Sequence, residues 1–509
     1  MSQLLLGIDI GTYSSKGVLC HLDGVIIAES RADHEMSIPK PGYAEHDADA
    51  VWWSDFTKIS KDLSKKVPQG DQIAGVGVSA IGACVLPVDE NGKPLRPGIL
   101  YGVDTRAISQ IEELENKYTR EALVEFGGSR LTTQATGPKI LWIKQNEPEI
   151  YRKTAKFITS TSYLIFRLTG NYVIDAHTAT EFNPLLDIKT VSWDGRFAED
   201  ITSLDKLPEI GWSDEVAGRV TAKASAETGI PVGTPVNFGA VDALSEAVSV
   251  GVVDFGELMI MYGSTAFFIF LINKPVPTNE LWLEAGAFKG QYEYSAGLST
   301  SGSATTWFRD QFGKDLLQAE SAGGANAYAT LAEEASYSPV GANGLIMLPY
   351  MSGERTPIFD PKARGVIAGL SLSHTRGDVY RAVLEGTAFS IRMNLEAMQK
   401  AGAQIKHGVA VGGGASNRLW LQMVSDVSGI PQLLPEKTIG ASYGDAFLVG
   451  LAVGVINNLD VLKKDWVSIK HEVHPNVENK KIYDRLYPMF KDLYQRSKSV
   501  VHQLTDFQE

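Results

Sequence analysis

At 509 residues with 44% apolar side chains, the chain exceeds what one core usually accommodates and holds enough hydrophobic content for two. Its net charge of −13 excludes the concentrated basic face that a nucleic-acid backbone requires. Its two cysteines, Cys20 and Cys84, supply no disulfide framework and fit a reducing cytoplasm. The N-terminus lacks a basic region and Asp9 interrupts its short apolar run, so no secretory signal is expected. The most apolar stretch, Leu258 to Ile272, carries Gly263, Ser264 and Thr265 at its centre and reads as a buried hairpin, too short for a bilayer span. His471 and His474 have no third ligand nearby, so no metal site built on His or Cys is expected.

The first predicted element is the apolar strand Leu4-Leu5-Leu6-Gly7-Ile8, which runs into Asp9-Ile10-Gly11-Thr12 and then Lys16. A strand fixes the backbone there, Gly11 lets main-chain N–H groups approach an anion, and Thr12 adds a donor. Asp9 cannot face a phosphate without a cation between them, so the implied ligand is a magnesium-bound nucleotide. A returning strand follows, then a hairpin at Asp23-Gly24 of the type I′ kind, with Val25-Ile26-Ile27 climbing back. A helix starts after Asp47, where Val51, Trp52, Phe56, Ile59 and Leu63 recur at helical spacing as a core stripe. A strand over Ile73 to Val78 and a short one ending near Tyr101 complete a βββαβα order.

The plan then recurs. Glu257 to Tyr262 is again an apolar strand, turning through Gly263, Ser264 and Thr265 into the run Ala266 to Ile272. Tyr292 to Ala296, a helix from near Ser303, and the strand Leu345 to Leu348 fill the second half, so the sequence reads as an internal duplication. Pro231, Gly233 and Pro235 precede the strand Val236-Asn237-Phe238, after which Asp242 opens a helix to Val250 that passes from one half to the other. The expected division is residues 1–246 and 247–509. Val409-Ala410-Val411 leads into Gly412-Gly413-Gly414 and then Asn417, an N-cap for a helix over Arg418 to Ser428; this fits backbone pressed against a flat ligand such as adenine and ribose. Tyr483, Leu486, Tyr487, Phe490 and Tyr494 mark a docked terminal helix.

These residues resemble the FGGY carbohydrate kinase family, within the actin, Hsp70 and hexokinase superfamily, and most of all its xylulokinase-like branch. Gly365-Val366-Ile367-Ala368-Gly369-Leu370, seven residues, and Asp378-Val379-Tyr380-Arg381-Ala382-Val383-Leu384-Glu385 fit the family's second diagnostic pattern throughout. Tyr350 to Pro357 is similar to a family loop, and Thr136 to Asn146, with Gln134 imperfect ahead of it, represents the first pattern. The resemblance implies an α/β protein of two RNase H-like domains with ATP in an interdomain cleft. The implied reaction is transfer of the γ-phosphate to a hydroxyl of a ketose or polyol, most of all a pentulose such as xylulose.

By the same resemblance Asp242 is the catalytic base, and Asp9 and Asp242 sit with Mg²⁺ at the phosphates. Gly11 and Thr12 belong to the first phosphate loop, Gly263, Ser264 and Thr265 form the second, and Gly413, Gly414 and Asn417 the nucleotide side; beside these, Lys16 is a candidate source of positive charge at the cofactor. Lys16 has the alternative of being solvated. The expected partner is a small sugar or polyol, without nucleic acid or membrane; a homodimer is a candidate assembly and the cytoplasm the expected location.

Substrate recognition departs from the family. Where xylulokinases place Met-His-Gly after the third strand, this chain reads Val78-Ser79-Ala80-Ile81-Gly82-Ala83, and a Trp-Asn-Asp triplet is replaced by the segment Tyr101-Gly102-Val103-Asp104-Thr105-Arg106. Ala80, Ile81, Tyr101, Asp104 and Arg106 are the candidate substrate residues, against a reading in which Asp104 caps the next helix and Arg106 is solvated. Rival classes are a chaperone or filament ATPase of the superfamily and a non-catalytic sugar sensor; the presence of both Asp9 and Asp242 argues against the sensor.

Overall fold

The computed structural model describes residues 2–508, which fall into two compact units. The first comprises 1–253, 271–293 and 437–468; the second comprises 254–270, 294–436 and 469–509.

In the first unit, β1 (Gln3–Ile10) is buried from Leu4 onward, as its unbroken apolar run requires of a central strand. It pairs antiparallel with β2 (Ser14–His21), which pairs with β3 (Ile26–Asp33), a half-exposed edge. On its other side β1 runs parallel to β4 (Gln72–Ala80), and β4 runs parallel to β5 (Pro235–Asn237). The sheet order is therefore β5-β4-β1-β2-β3, with Val216–Arg219 beyond β5. The helix Ser54–Ser64 buries Phe56, Ile59 and Leu63, while Trp52 lies in a preceding π-helical turn over Ala48–Trp53 capped by Asp47.

The second unit repeats this order. β6 (Glu257–Tyr262) and β7 (Ala266–Ile272) form the expected buried hairpin, and β8 (Tyr292–Leu298) flanks β7. β9 (His407–Val411) runs parallel to β6, and β10 (Gln432–Pro435) parallel to β9. β11 (Ile469–Val473) closes the far edge antiparallel to β10. The terminal helix Val477–Leu504 buries Tyr483, Tyr487, Phe490 and Tyr494.

Three expectations need correction. The turn at Asp23-Gly24 is not type I′, since Gly24 has φ +80° and Asp23 is not among the positive-φ residues. Gly24 N–H donates to His21 O and the β2–β3 register slips at Leu19/Cys20, so the loop is a three-residue turn closed by a bulge. The short strand near Tyr101, Gly98–Ile99, does not complete the first sheet but pairs with Glu45–His46. Ile346–Leu348 likewise stands outside the second sheet, paired with Val366–Ala368. A long segment separates β4 from β5 in the first half and β8 from β9 in the second, and the short strands within these segments have the same apolar signature.

Two helices position the site of the first unit. Asp242–Ser249 follows Ala240–Val241, a short strand parallel to the end of β4. The helix Ala441–Ala452 packs across β1, β2 and β4 although it lies far along the chain. Glycines make that approach: a Cβ at Gly7 would fall 1.9 Å from Ser442 O, one at Gly77 2.0 Å from Asp445 O, and one at Gly444 2.0 Å from Ser245 O.

Candidate active site

The register of the first sheet gathers the acidic residues. Asp9 lies opposite Ser79, Ser79 opposite Ala240, and Ile10 opposite Ala80, so the carboxyl ends of three parallel strands finish side by side. Asp242 follows two residues beyond Ala240, at the first turn of its helix, where its Oδ1 accepts from the Ala243 N–H at 2.8 Å. Open α/β sheets place their ligands at this end.

Burial pushes the Asp242 carboxyl up to about 6, against the Ala243 N–H and the His177 charge, which favour ionisation. It is thus ionised near pH 7 yet basic enough to take a proton. Asp9, 9% exposed, is raised well above the carboxylate range, first by burial and then by Asp242 and Asp445; the Ser79 hydroxyl, 3.1 Å from its Oδ1, works the other way. Glu246, one turn past Asp242, is raised by burial and countered by Lys16. Lys16 is half-buried on β2, directly opposite Asp9 in register, and its charge acts on Glu246.

Gly11 closes the β1–β2 turn through its N–H to Ser14 O, and its carbonyl accepts from His34 Nε2 at 3.1 Å. Thr12 Oγ1 lies 3.2 Å from the Tyr101 hydroxyl, linking this loop to the segment expected to read substrate. Ala80 and Ile81 are buried in the core at 0% and 1% exposure. Asp104 and Arg106 are buried against one another. Asp104 accepts from the Ala44 N–H at 2.7 Å and from Arg106 Nη2 at 2.7 Å, and the guanidinium lies 4.0 Å over the Tyr43 ring and pairs with Glu45. Asp104 is therefore no helix cap and Arg106 is not solvated; the pair anchors the segment that carries Tyr101.

Sequence reasoning missed a second cluster in the same unit. Glu181 accepts from the N–H of Ala83, a residue held at φ +51° whose carbonyl accepts from the buried Lys139 ammonium at 3.2 Å. His177, Glu284 and Glu293 bring their ligand atoms within 4.8 Å of one another, and His177 Nδ1 lies 2.9 Å from Ala285 O. Burial alone would lower the His177 pKa, but Glu293, Glu284 and Glu181 outweigh it and lift it to about 9; burial and Glu284 push Glu181 up to about 8. Residues 177, 181, 284 and 293 are too scattered for any spacing rule to join. His177 touches the Asp242 reading directly, as a charge that favours the ionised base.

The second unit holds the nucleotide candidates. Ser264 and Thr265 are exposed, and Gly263 and Ser264 offer their carbonyls to the N–H groups of Gly302 and Ser303 at the start of the helix Gly302–Phe312. The three glycines after β9 differ in their reasons. Gly412 has φ +85°, and a Cβ at Gly414 would meet Trp420 and Tyr262, whereas one at Gly413 would meet no protein atom within 4 Å. Asn417 caps the Arg418–Ser428 helix, accepting from the Trp420 N–H at 3.1 Å.

The most diagnostic sequence pattern is structural. Asp378 completes a capping box with Thr375, and Arg381, Glu385 and Tyr483 form a buried hydrogen-bonded group. In the loop Tyr350 to Pro357, buried Glu354 accepts from the N–H groups of Ser299 and Arg355, and Arg355 reaches Leu298 O at 2.7 Å, bracing β7 and β8.

A duplicated sheet of order 3-2-1-4-5, with acids at the carboxyl ends of its parallel strands, defines a protein of the actin and hexokinase class. Models of the FGGY family of carbohydrate kinases match residues 4–249 for the N-terminal domain and 258–453 for the C-terminal domain, so the chain belongs to that family. It is 30% identical to the xylulose kinase of Lactococcus lactis, covering 99% of each chain, and 26% identical to the gluconokinase of Bacillus subtilis, covering 100% of this chain and 99% of the relative. The solved xylulose kinase of Rhodospirillum rubrum superposes with a TM-score of 0.91 at 28% identity, over 98% of this chain and 100% of that one.

Proposed function

We propose that the chain is an ATP-dependent kinase of a neutral ketose or polyol, with a pentulose such as xylulose as the first candidate and Asp242 as the base that deprotonates the attacking hydroxyl. The observation that carries this reading is the Asp242 carboxyl, set at a helix start beside the ends of β1 and β4 and tuned to about 6. Phosphoryl transfer has a loose transition state, so the chain's work is to orient the hydroxyl, accept its proton and supply N–H and hydroxyl donors to phosphate oxygens. The turns of Gly11 and Thr12 and of Gly263, Ser264 and Thr265 are assigned to the phosphates, with the Thr12, Ser264 and Thr265 hydroxyls as donors, Lys16 adds positive charge, and Gly413, Gly414 and Asn417 are assigned to the nucleoside.

The hard-oxygen character of Asp9 and Asp242, and their mutual repulsion, fit Mg²⁺. When bound it would be held by these two carboxylates and would neutralise phosphate charge. Tyr101, beside Thr12, is assigned to the acceptor, with Ala80 and Ile81 in the core and Asp104 and Arg106 as the scaffold of the segment that carries it.

The charge around the base favours a neutral acceptor over an aldonate such as gluconate. Glu284 and Glu293 flank one His177 cation, and Asp242 adds its own charge. Xylulose kinases among the relatives support the pentulose. The test is ADP release with Mg²⁺ across a panel of ketoses, polyols and aldonates. Strong stimulation by one neutral sugar is expected; binding of sugars without turnover across the panel would replace the kinase with a sensor, and preference for an aldonate would overturn the acceptor class.

A further inference from the structure

The segment that follows β4 has no polar side chain to read a sugar, and most of its backbone is engaged. Ile81 N–H donates to Ile10 O at 3.0 Å, and Ile81 O accepts from Ser160 Oγ at 2.6 Å. Gly82 O accepts from Cys84 Sγ at 3.4 Å, and Ala83 O from the Lys139 ammonium at 3.2 Å. A polar contact at this strand end must come from another part of the chain.

Gly82 leaves the space for one. A Cβ there would stand 3.1 and 3.2 Å from the two carboxylate oxygens of Glu181, and 2.3 Å from Val241 Cγ2, on the residue before Asp242. Gly82, Glu181 and Asp242 each keep an exposed edge, whereas Ile81, Ala83 and Val241 are buried, so the three open on one hollow beside the proposed base. The His177 charge, one turn before Glu181, acts on both carboxyls.

Glu181 is held in place from several sides. It ends the short helix Ala176–Thr180, whose cap Asp175 accepts from the Thr178 N–H at 2.9 Å, and its own carbonyl accepts from the Thr136 N–H at 2.8 Å. Its Oε2 accepts from the Ala83 N–H, which leaves Oε1 without a hydrogen-bond partner among the described residues. A side chain fixed by its neighbours presents such an atom at little cost in entropy.

We propose that Glu181 is an acceptor-binding residue: its Oε1 takes a hydroxyl of the pentulose, other than the one that Asp242 deprotonates, and so supplies the contact that Gly82 and Ala83 lack. A hydroxyl both donates and accepts, so it suits Oε1 whether the carboxyl is ionised or protonated. This role rests on the acceptor reading of the strand end given above; the fixed carboxyl and its open oxygen do not. A mere brace for Ala83 would need Oε2 alone.

The probes are xylulose and its monodeoxy derivatives at carbons one, three and four, assayed on the full-length protein with ATP and Mg²⁺. In the parent, deleting the hydroxyl that Oε1 binds is expected to lower kcat/KM by about 10- to 100-fold, the size of one lost hydrogen bond to a charged group. In Glu181→Ala that penalty is expected to shrink to about twofold or less, while the KM for xylulose rises by about 10- to 100-fold and the KM for ATP stays near the parent value. Glu181→Gln keeps an oxygen on the Ala83 N–H and turns an NH₂ into the hollow, so its penalty is expected to lie between the two. A brace would instead lower the turnover of all four probes alike.

If Glu181→Ala does not fold, Glu181→Gln carries the test. Full-sized penalties for every analogue in Glu181→Ala, or a profile in Glu181→Gln equal to the parent's, would overturn the proposal. Calorimetric titration of the same probes without nucleotide separates it from the kinase reading. Binding without turnover, with a deoxy penalty that Glu181→Ala abolishes, would refute the kinase and leave Glu181 standing; turnover with no penalty that depends on Glu181 would do the reverse. A parent that binds none of the four probes would overturn both.

Discussion

The loop after β1 and the loop after β6 occupy the same place in two sheets of the same order, yet they carry different chemistry. Both follow a buried strand with a parallel neighbour, and both turn at a glycine, Gly11 or Gly263. Two residues before that glycine the first copy has Asp9 and the second has Met261. The first copy is ringed by Ser79, Asp242, Glu246 and Asp445, whereas the second is backed by Tyr262, Trp420 and Gln432, an aromatic and amide group. The two copies share the buried strand and its glycine turn, and the first carries the acids.

The sharpest way to break that comparison is Asp242→Asn, expected to lower kcat by about two to four orders of magnitude while ADP affinity, read by calorimetry, stays near the parent value. Near-normal turnover would remove the acid-bearing copy from the chemistry. The pH profile comes next. With Asp242 as the proposed base, which must be ionised to accept a proton and sits at about 6, kcat is expected to be level above that pH and to fall about tenfold per unit below it; stopped assays from pH 5 to 8 check this.

On the other copy, Gly413 is the glycine of the Gly412–Gly414 turn where an added Cβ meets no protein atom within 4 Å, and with this turn as the proposed nucleotide loop Gly413→Val is expected to raise the KM for ATP by up to about tenfold, with kcat nearly unchanged. The smallest effect on activity belongs to Asp378, whose pKa burial alone would raise but which its bonds from Ser338, Thr375 and Asn343 hold at about 2. Asp378→Ala is expected to cost about 1–3 kcal/mol of stability in urea unfolding at neutral pH. With a folded pKa below the ordinary value, that contribution is present above about pH 4 and lost as pH falls toward 2, so parent and variant are expected to converge there.

Much of this was legible in the sequence because strand, glycine and hydroxyl are local signals. The Asp9 to Thr12 turn, the hairpin around Gly263 and the Asn417 cap all depend on residues within a few positions of one another. The helix over Arg418 to Ser428 was read to its ends, since Asn417 opens it and Gly429 closes it at φ +80°. What could not be read was register and return. Nothing local distinguishes Gly98–Ile99 from a sheet strand, nor reveals that Asp445 comes back to Ser79 or that Glu181, Glu284 and His177 converge. The pattern over Gly365 to Glu385 was the most specific in the chain, and its Asp378, Arg381 and Glu385 hold a helix in place without touching the acids of the site.

The return of the Ala441–Ala452 helix bears on how the chain can be made. Its backbone rests directly on Gly7 and Gly77, and its apolar face joins Leu5, Val18 and Leu244 in one cluster. During synthesis the ribosome will have released every strand of the first sheet long before this helix emerges, so that face must stay open or shielded until residues 441–452 arrive. A fragment ending at Val253 would display the bare face permanently and would be prone to aggregate.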